Sequence, residues 1–89
     1  MANDHFVYML LCKDETLYTG YTVNIENRLK AHESGKGAKY TRGRGPFELV
    51  YLEQCTSKSA GLKREYEIKK LSREEKELLI EVYKEREGS

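Results

Sequence analysis

A short apolar segment near the start of the chain, closely followed by a second strand-like segment, constrains the fold more than any other feature. Residues 6–11 read Phe-Val-Tyr-Met-Leu-Leu, a run too brief for a helix, and we expect a strand over 5–12. After a polar break, residues 17–22 are rich in aromatic and β-branched side chains and favour a second strand. Because the break is short, the sequence predicts a hairpin.

The rest of the pattern predicts one more strand and three helices. Asn24 is a favourable N-cap for a first helix, which a Ser-Gly pair would end. Residues 47–55 alternate and are rich in Leu, Val and Tyr, as in a strand. A second helix is expected over 58–71, and residues 72–75 have the form of a capping box for a third. The predicted order is β-β-α-β-α-α, an α/β chain of the α+β type with a small, mainly antiparallel three-stranded sheet flanked by helices.

Length and composition predict a single small domain over residues 1–89. The fractions of 38% hydrophobic and 35% charged residues suit a globular chain rather than a disordered one. No apolar run approaches the roughly 18–20 residues that span a bilayer, and the N-terminus lacks a signal-peptide pattern, so we expect a cytoplasmic protein. Two cysteines, Cys12 and Cys55, make neither a disulfide framework nor a zinc site and are expected to be reduced.

The distribution of charge is more informative than the net charge of +1. Residues 28–44 contain six basic side chains and one acidic one, whereas residues 74–89 contain six acidic and three basic ones. A basic stretch opposite an acidic tail is what a polyanion-binding face would look like. The alternative is that Lys and Arg merely solvate a loop.

Four segments, in their order and spacing, carry a resemblance to a known family. Residues 6–8 (Phe-Val-Tyr) and 18–20 (Tyr-Thr-Gly) lie on the hairpin strands with their tyrosines ten positions apart. Residues 20–32 then contain an Arg and a His at helical spacing, and residues 60–66 contain a Glu on a later helix. This pattern resembles the catalytic domain of GIY-YIG nucleases, most of all their short stand-alone bacterial branch. The signature tyrosines and glycine are kept, whereas their apolar neighbours differ.

The resemblance implies an enzyme, a metal-dependent DNA endonuclease acting on the phosphodiester backbone. Glu65 would hold one Mg²⁺ or Mn²⁺ ion, and Tyr8, assisted by Tyr18, would activate or position the attacking water. Arg28 would stabilise charge on the phosphorus, and His32 would orient water or phosphate. The implied catalytic residues are therefore Tyr8, Tyr18, Arg28, His32 and Glu65, with Gly20 permitting a close backbone approach and Asn24 acting as a helix cap.

The same residues also have ordinary structural interpretations. Two phenols on adjacent strands converge on one small site or are simply half-buried sheet residues. Arg28 and His32 share the sheet-facing side of the first helix, where a guanidinium needs a carboxylate or phosphate partner and a lone histidine is often structural. Glu65 at the edge of an apolar helix face binds Mg²⁺ or pairs with Arg28 or Lys69.

The long loop over residues 35–46 is a candidate contact surface for nucleic acid. It contains four glycines and four basic side chains, and its backbone and cations suit phosphates without reading sequence. The alternative is a flexible basic loop. The candidate DNA-binding residues, with RNA not excluded, are Lys36, Lys39, Tyr40, Arg42 and Arg44.

The function expected from these observations is a backbone- or structure-directed endonuclease in DNA repair, recombination or turnover, with a homodimer or protein partner possible. The alternative is a nucleic-acid-binding module with little or no turnover. A third hypothesis is a protein-interaction domain that docks through its last helix. We expect the apolar stripe of that helix to pack inward instead; it comprises Leu78, Leu79, Val82 and Tyr83.

Overall fold

The computed structural model describes residues 4–37 and 41–88, and these form three strands and three helices in the predicted order. The α+β class and the order β-β-α-β-α-α are confirmed. Two of the predicted strands and the second helix are one or two residues shorter at an end than expected. The elements are β1 (His5–Leu11), β2 (Leu17–Thr22), α1 (Ile25–Glu33), β3 (Glu48–Cys55), α2 (Lys58–Lys69) and α3 (Arg73–Gly88).

The sheet has the strand order β2-β1-β3, with β1 antiparallel to both neighbours. In the hairpin register Tyr8 lies opposite Gly20, and Tyr18 lies opposite Leu10. Because alternate residues of a strand share a face, both tyrosines project from the same side of the sheet. They are diagonal neighbours, so the aromatic ring of Tyr8 lies over a glycine.

The opposite face of the sheet carries the main hydrophobic core. Val7 and Met9 of β1 are fully buried there together with Ile68 of α2. Two rings, those of Tyr51 and Tyr83, join β3 to α3 with their centroids 5.8 Å apart. The core therefore holds α2 and α3 against the sheet, whereas the Tyr8 side chain lies on the other face.

Local capping interactions set where each helix begins. The side chain of Asn24 accepts a hydrogen bond from the amide of Asn27 at 3.0 Å, as predicted for the N-cap of α1. Ser57 caps α2 in the same way. The predicted capping box also forms, because the Ser72 amide donates to the Glu75 carboxylate at 2.9 Å and the Glu75 amide donates to the Ser72 hydroxyl.

The predicted apolar stripe of α3 is only partly correct. Leu79, Ile80 and Tyr83 pack against the core, whereas Leu78 and Val82 are 61% and 52% exposed. Leu78 and Val82 lie on a neighbouring side of α3. The sheet covers only the side that carries the three packed residues. Within the two described ranges no helix is long and apolar enough to cross a membrane.

Candidate active site

A buried hydrogen-bonded chain of three side chains lies at the centre of the site. The Tyr8 Oη and His32 Nε2 atoms are 2.8 Å apart, and His32 Nδ1 lies 2.7 Å from the Thr41 hydroxyl. All three residues are at most 1% exposed. The chain links the central strand β1 to α1 and to the loop that precedes β3.

Two glycines make room for this chain. A methyl group on Gly20 would lie 2.5 Å from Tyr8 Oη, and one on Gly37 would lie 2.3 Å from His32 Nδ1. Side chains of any size at these positions would displace the phenol or the imidazole. Gly20 therefore does permit a close approach, but the group that approaches it is the Tyr8 side chain and not a backbone segment.

Aromatic rings surround the hydrogen-bonded chain. The Tyr18 ring lies 5.3 Å from the His32 ring and 6.2 Å from the Tyr8 ring, measured between centroids. The Phe47 ring also lies 5.9 Å from the His32 ring, edge to face. These distances are within the range of favourable aromatic pairs. Tyr8, Tyr18 and His32 thus form one cluster, as the sequence predicted for the two tyrosines.

Arg28 projects into the same cluster from α1. Its Nε atom is buried and has no hydrogen-bond partner among the residues that the structure describes. By contrast, the Arg64 Nε on α2 donates to Glu53 at 2.9 Å. A buried guanidinium nitrogen without an acceptor is costly, and it is therefore suited to an incoming anion.

Glu65 on α2 lies at the edge of the site with an 18% exposed side chain. Of the two ion pairs considered for it, the structure contains the one with Lys69, at 3.1 Å. The carboxylate is still close enough to Tyr8 for its negative charge to raise the pKa of the phenol. The predicted catalytic residues are thus all placed around Tyr8.

The electrostatics of the cluster favour uncharged Tyr8 and His32. Burial raises the pKa of Tyr8 to about 12, despite the opposing effect of the Arg28 guanidinium, which hydrogen-bonds and attracts the phenolate. Burial, assisted by the positive charge of Arg28, lowers the pKa of His32 below its usual value. At neutral pH the pair is therefore a phenol and a neutral imidazole.

The acidic side chains fit an open metal site rather than a closed one. Within residues 4–37 and 41–88, no three His, Cys, Asp or Glu side chains are grouped so that they could share a metal ion. Mg²⁺ is commonly bound by only one or two carboxylates, together with water and substrate phosphates. The single carboxylate of Glu65 would fit such an ion, whose coordination the substrate phosphates would complete.

The predicted DNA-contacting loop is described only in part. Lys39 and Tyr40 lie outside the described residues. Arg44 forms an ion pair with Asp14, in the turn between the first two strands, and its carbonyl accepts a hydrogen bond from the Lys13 amide at 2.8 Å. The side chains of Lys36 and Arg42 are exposed.

Sequence reasoning missed Thr41 and Gly37 as parts of the site. Both lie in the glycine-rich basic loop, for which the sequence predicts a DNA-contacting surface or a flexible loop and no part of the active site. Thr41 is nine residues from His32, and no local periodicity places its hydroxyl against the imidazole. Only the folded course of the loop brings the two groups together.

The hairpin with its paired tyrosine signatures, the Arg and His of the next helix and the Glu of α2 define a GIY-YIG catalytic domain. Comparison with models of known families agrees, because residues 4–78 match the GIY-YIG catalytic domain. The chain belongs to the GIY-YIG family, a superfamily of endonucleases.

Relatives with high sequence similarity carry the name UPF0213 protein. The one from Natronomonas pharaonis is 62% identical over 80 residues, which cover 90% of this chain and 94% of the relative. The solution NMR structure of the UPF0213 protein from Bacillus halodurans is 55% identical, with a TM-score of 0.58 over 88% of this chain and 83% of that one. A second NMR structure, from E. faecalis, is 40% identical, with a TM-score of 0.62 over 93% and 91% of the two chains.

Proposed function

We propose that this protein is a metal-dependent endonuclease that hydrolyses phosphodiester bonds of DNA, directed by backbone or structure rather than by base sequence. The observation that carries the proposal is the cluster of Tyr8, His32 and the unpaired Arg28 nitrogen, with the Glu65 carboxylate close enough to Tyr8 to raise its pKa. These groups can bind an anion, accept a proton and hold a divalent cation within one small site. Membership of an endonuclease superfamily supports the same conclusion.

The raised pKa of Tyr8 refines the role of this residue in the proposed reaction. A phenol with a pKa of about 12 is not a free base at neutral pH. Its proton can instead pass along the 2.8 Å hydrogen bond to His32 Nε2 while Tyr8 Oη accepts a proton from the attacking water. The acceptor is a neutral imidazole because burial lowers the pKa of His32, although the same shift makes the imidazole a weaker base.

The remaining residues would stabilise charge. The Arg28 guanidinium would bind the phosphate oxygens, where negative charge accumulates as water adds. Glu65 would hold Mg²⁺ or Mn²⁺, which supplies Lewis-acid stabilisation of the phosphoryl oxygens and the leaving group. Tyr18, packed on His32, would keep the imidazole in place, and Lys36 and Arg42 would contact the DNA backbone.

A cleavage assay with a matched acidic control tests the proposal. Supercoiled plasmid, single strands and branched oligonucleotides would be incubated with Mg²⁺, Mn²⁺ or a chelator. We expect metal-dependent cleavage that Glu65→Gln abolishes and Glu67→Gln, on the same helix, preserves. Binding without cleavage on every substrate would refute the proposal and favour the nucleic-acid-binding module. Cleavage that survives Glu65→Gln would refute the assigned metal ligand.

A further inference from the structure

A cleft of about 310 Å³ lies at the open edge of the sheet, between β2 and the helices α2 and α3. One wall is β2, which contributes Leu17, Tyr18 and Thr19, and the other is formed by Lys69 on α2 and Lys76 in the first turn of α3. Leu17 and Thr19 alternate with Tyr18, so their side chains lie on the core face of the sheet rather than on the face that carries the Tyr18 ring. The cleft is linked to the candidate active site by Lys69, because its ammonium group pairs with Glu65 at 3.1 Å.

Thr19 provides the first indication that the cleft receives a ligand. The residue is 4% exposed, and its Oγ1 atom has no hydrogen-bond partner within the described part of the chain. Burying a hydroxyl without a partner is unfavourable, and valine or isoleucine would fill the same space in a strand without that cost. The second signature motif takes its name from an isoleucine at this position, where this chain has Thr19. A ligand with a hydrogen-bond acceptor would satisfy the hydroxyl.

The two lysines determine the charge of that ligand. Lys69 and Lys76 present ammonium groups from different helices, so the cleft has two cationic sides and one buried hydroxyl. Ammonium and hydroxyl donors suit the oxygens of a phosphate group. A cationic ligand would be repelled by the two ammonium groups, and an apolar one would leave the Thr19 hydroxyl without a partner.

We propose that this cleft is a phosphate-binding subsite for a backbone phosphate of the nucleic-acid strand next to the one at the active site. The proposal rests on the proposed function for the identity of the strand. Lys69 connects the two places, because its ammonium group now pairs with Glu65 at 3.1 Å. When Lys69 turns to the bound phosphate, the Glu65 carboxylate is released to take a metal ion.

A first experiment measures the subsite without any reaction. Inorganic phosphate would be titrated into the protein at constant ionic strength, with chloride as the reference anion, and amide resonances would be followed by NMR. We expect phosphate-dependent shifts centred on Thr19, which Lys76→Gln and Thr19→Val reduce and Lys84→Gln, on the exposed side of α3, leaves unchanged. Shifts that are equal in the Lys76 and Lys84 variants, or absent at Thr19, would overturn the proposal.

A second experiment measures binding of a DNA oligonucleotide in the presence of a chelator at several salt concentrations. Loss of one phosphate contact lowers the slope of log affinity against log salt by about one. We expect this decrease for Lys76→Gln and none for Lys84→Gln; equal slopes would refute the subsite. If phosphate and DNA bind as expected and no variant cleaves DNA, the proposed function fails and the subsite stands. If cleavage is as expected and Lys76→Gln does not affect binding, the subsite fails and the proposed function stands.

Discussion

The phenol oxygen of Tyr8 and the Nε2 atom of His32 share a 2.8 Å hydrogen bond in the interior of the domain. A neutral imidazole has one donor and one acceptor nitrogen, so Tyr8 can donate to Nε2 while Nδ1–H donates to Thr41. In the reverse polarity the Thr41 hydroxyl donates to Nδ1 and Nε2–H donates to Tyr8 Oη, so the phenol proton needs another acceptor. The tautomer of His32 therefore decides which of the two hydroxyl groups donates to the imidazole.

Replacement of Tyr8 by phenylalanine is expected to abolish the proposed proton transfer while retaining the ring. The cleavage rate should fall by about 10²–10⁴-fold, the usual contribution of a positioned acid or base. Plasmid nicking measures the rate, and circular dichroism reports folding. Tyr66→Phe, at a 63% exposed position of α2, is the matched control and should retain activity. Activity of Tyr8→Phe close to that of wild type would exclude Tyr8 from the chemistry.

Acidification is expected to destabilise the fold through His32. Because the pKa of His32 is lowered in the folded state, its contribution to stability is complete above about pH 6.5 and is lost as the pH falls towards the lowered pKa. Where only the unfolded chain binds the proton, the loss is about 1.4 kcal/mol per pH unit. Urea unfolding at pH 7.5 and 5.0 tests this, with His32→Gln as the reference. An equal pH dependence in both proteins would contradict the prediction.

A methyl group added at Gly20 is expected to displace Tyr8 and thereby to damage the site. In Gly20→Ala the new carbon would lie 2.5 Å from Tyr8 Oη and 2.6 Å from Tyr8 Cζ, and the Tyr8 ring is fully buried. We expect a loss of about 1–3 kcal/mol in the free energy of unfolding, together with loss of cleavage. Gly45→Ala, whose added carbon would be 3.3 Å from the Phe47 ring, is a milder control. A Gly20→Ala protein with unchanged stability and cleavage would show that the close contact between Gly20 and Tyr8 is not required.

Removal of the cation beside Glu65 is expected to tighten metal binding in the absence of DNA. Lys69 now competes with a metal ion for the carboxylate, but its side chain is 52% exposed and such a pair contributes only about 0.2–1 kcal/mol. Lys69→Gln should therefore lower the dissociation constant for Mn²⁺ by at most about fivefold, as measured by calorimetry. Lys70→Gln, whose ammonium lies over the Tyr66 ring, is the charge-matched control. Weaker binding in Lys69→Gln would argue against the competition.

The unpaired hydroxyl of Thr19 predicts a trade between stability and phosphate binding. Thr19→Val removes a buried polar atom without a partner, so the free energy of unfolding should rise by about 1 kcal/mol. For a domain of this size that corresponds to an increase in Tm of about 4–8 °C. Thr22→Val is the control, because the Thr22 hydroxyl donates to the Asn24 carbonyl at 3.2 Å and its loss should not stabilise. A lower Tm for Thr19→Val would indicate that the hydroxyl already has a partner.

The sequence alone was sufficient for the order of elements, the helix starts and the family. These features depend on short-range chemistry: Asn24 and Ser57 accept bonds from amides three residues ahead, and Ser72 and Glu75 satisfy each other. Alternation within one strand likewise places Tyr8 on a definite face. Such interactions form between residues that are close in the sequence, and they can therefore be predicted from it.

The tertiary structure decided the partners. Tyr8 lies over Gly20, and Thr41 hydrogen-bonds to His32. Glu65 pairs with Lys69. Among the described residues, Arg28 Nε and Thr19 Oγ1 have no hydrogen-bond partner. Each of these outcomes depends on strand register and on how α1, α2 and the loop before β3 pack on the sheet. Side chains distant in sequence meet only through that packing. The identity of the catalytic candidates was therefore in the sequence, whereas their hydrogen bonds, charges and unfilled positions were determined by the fold.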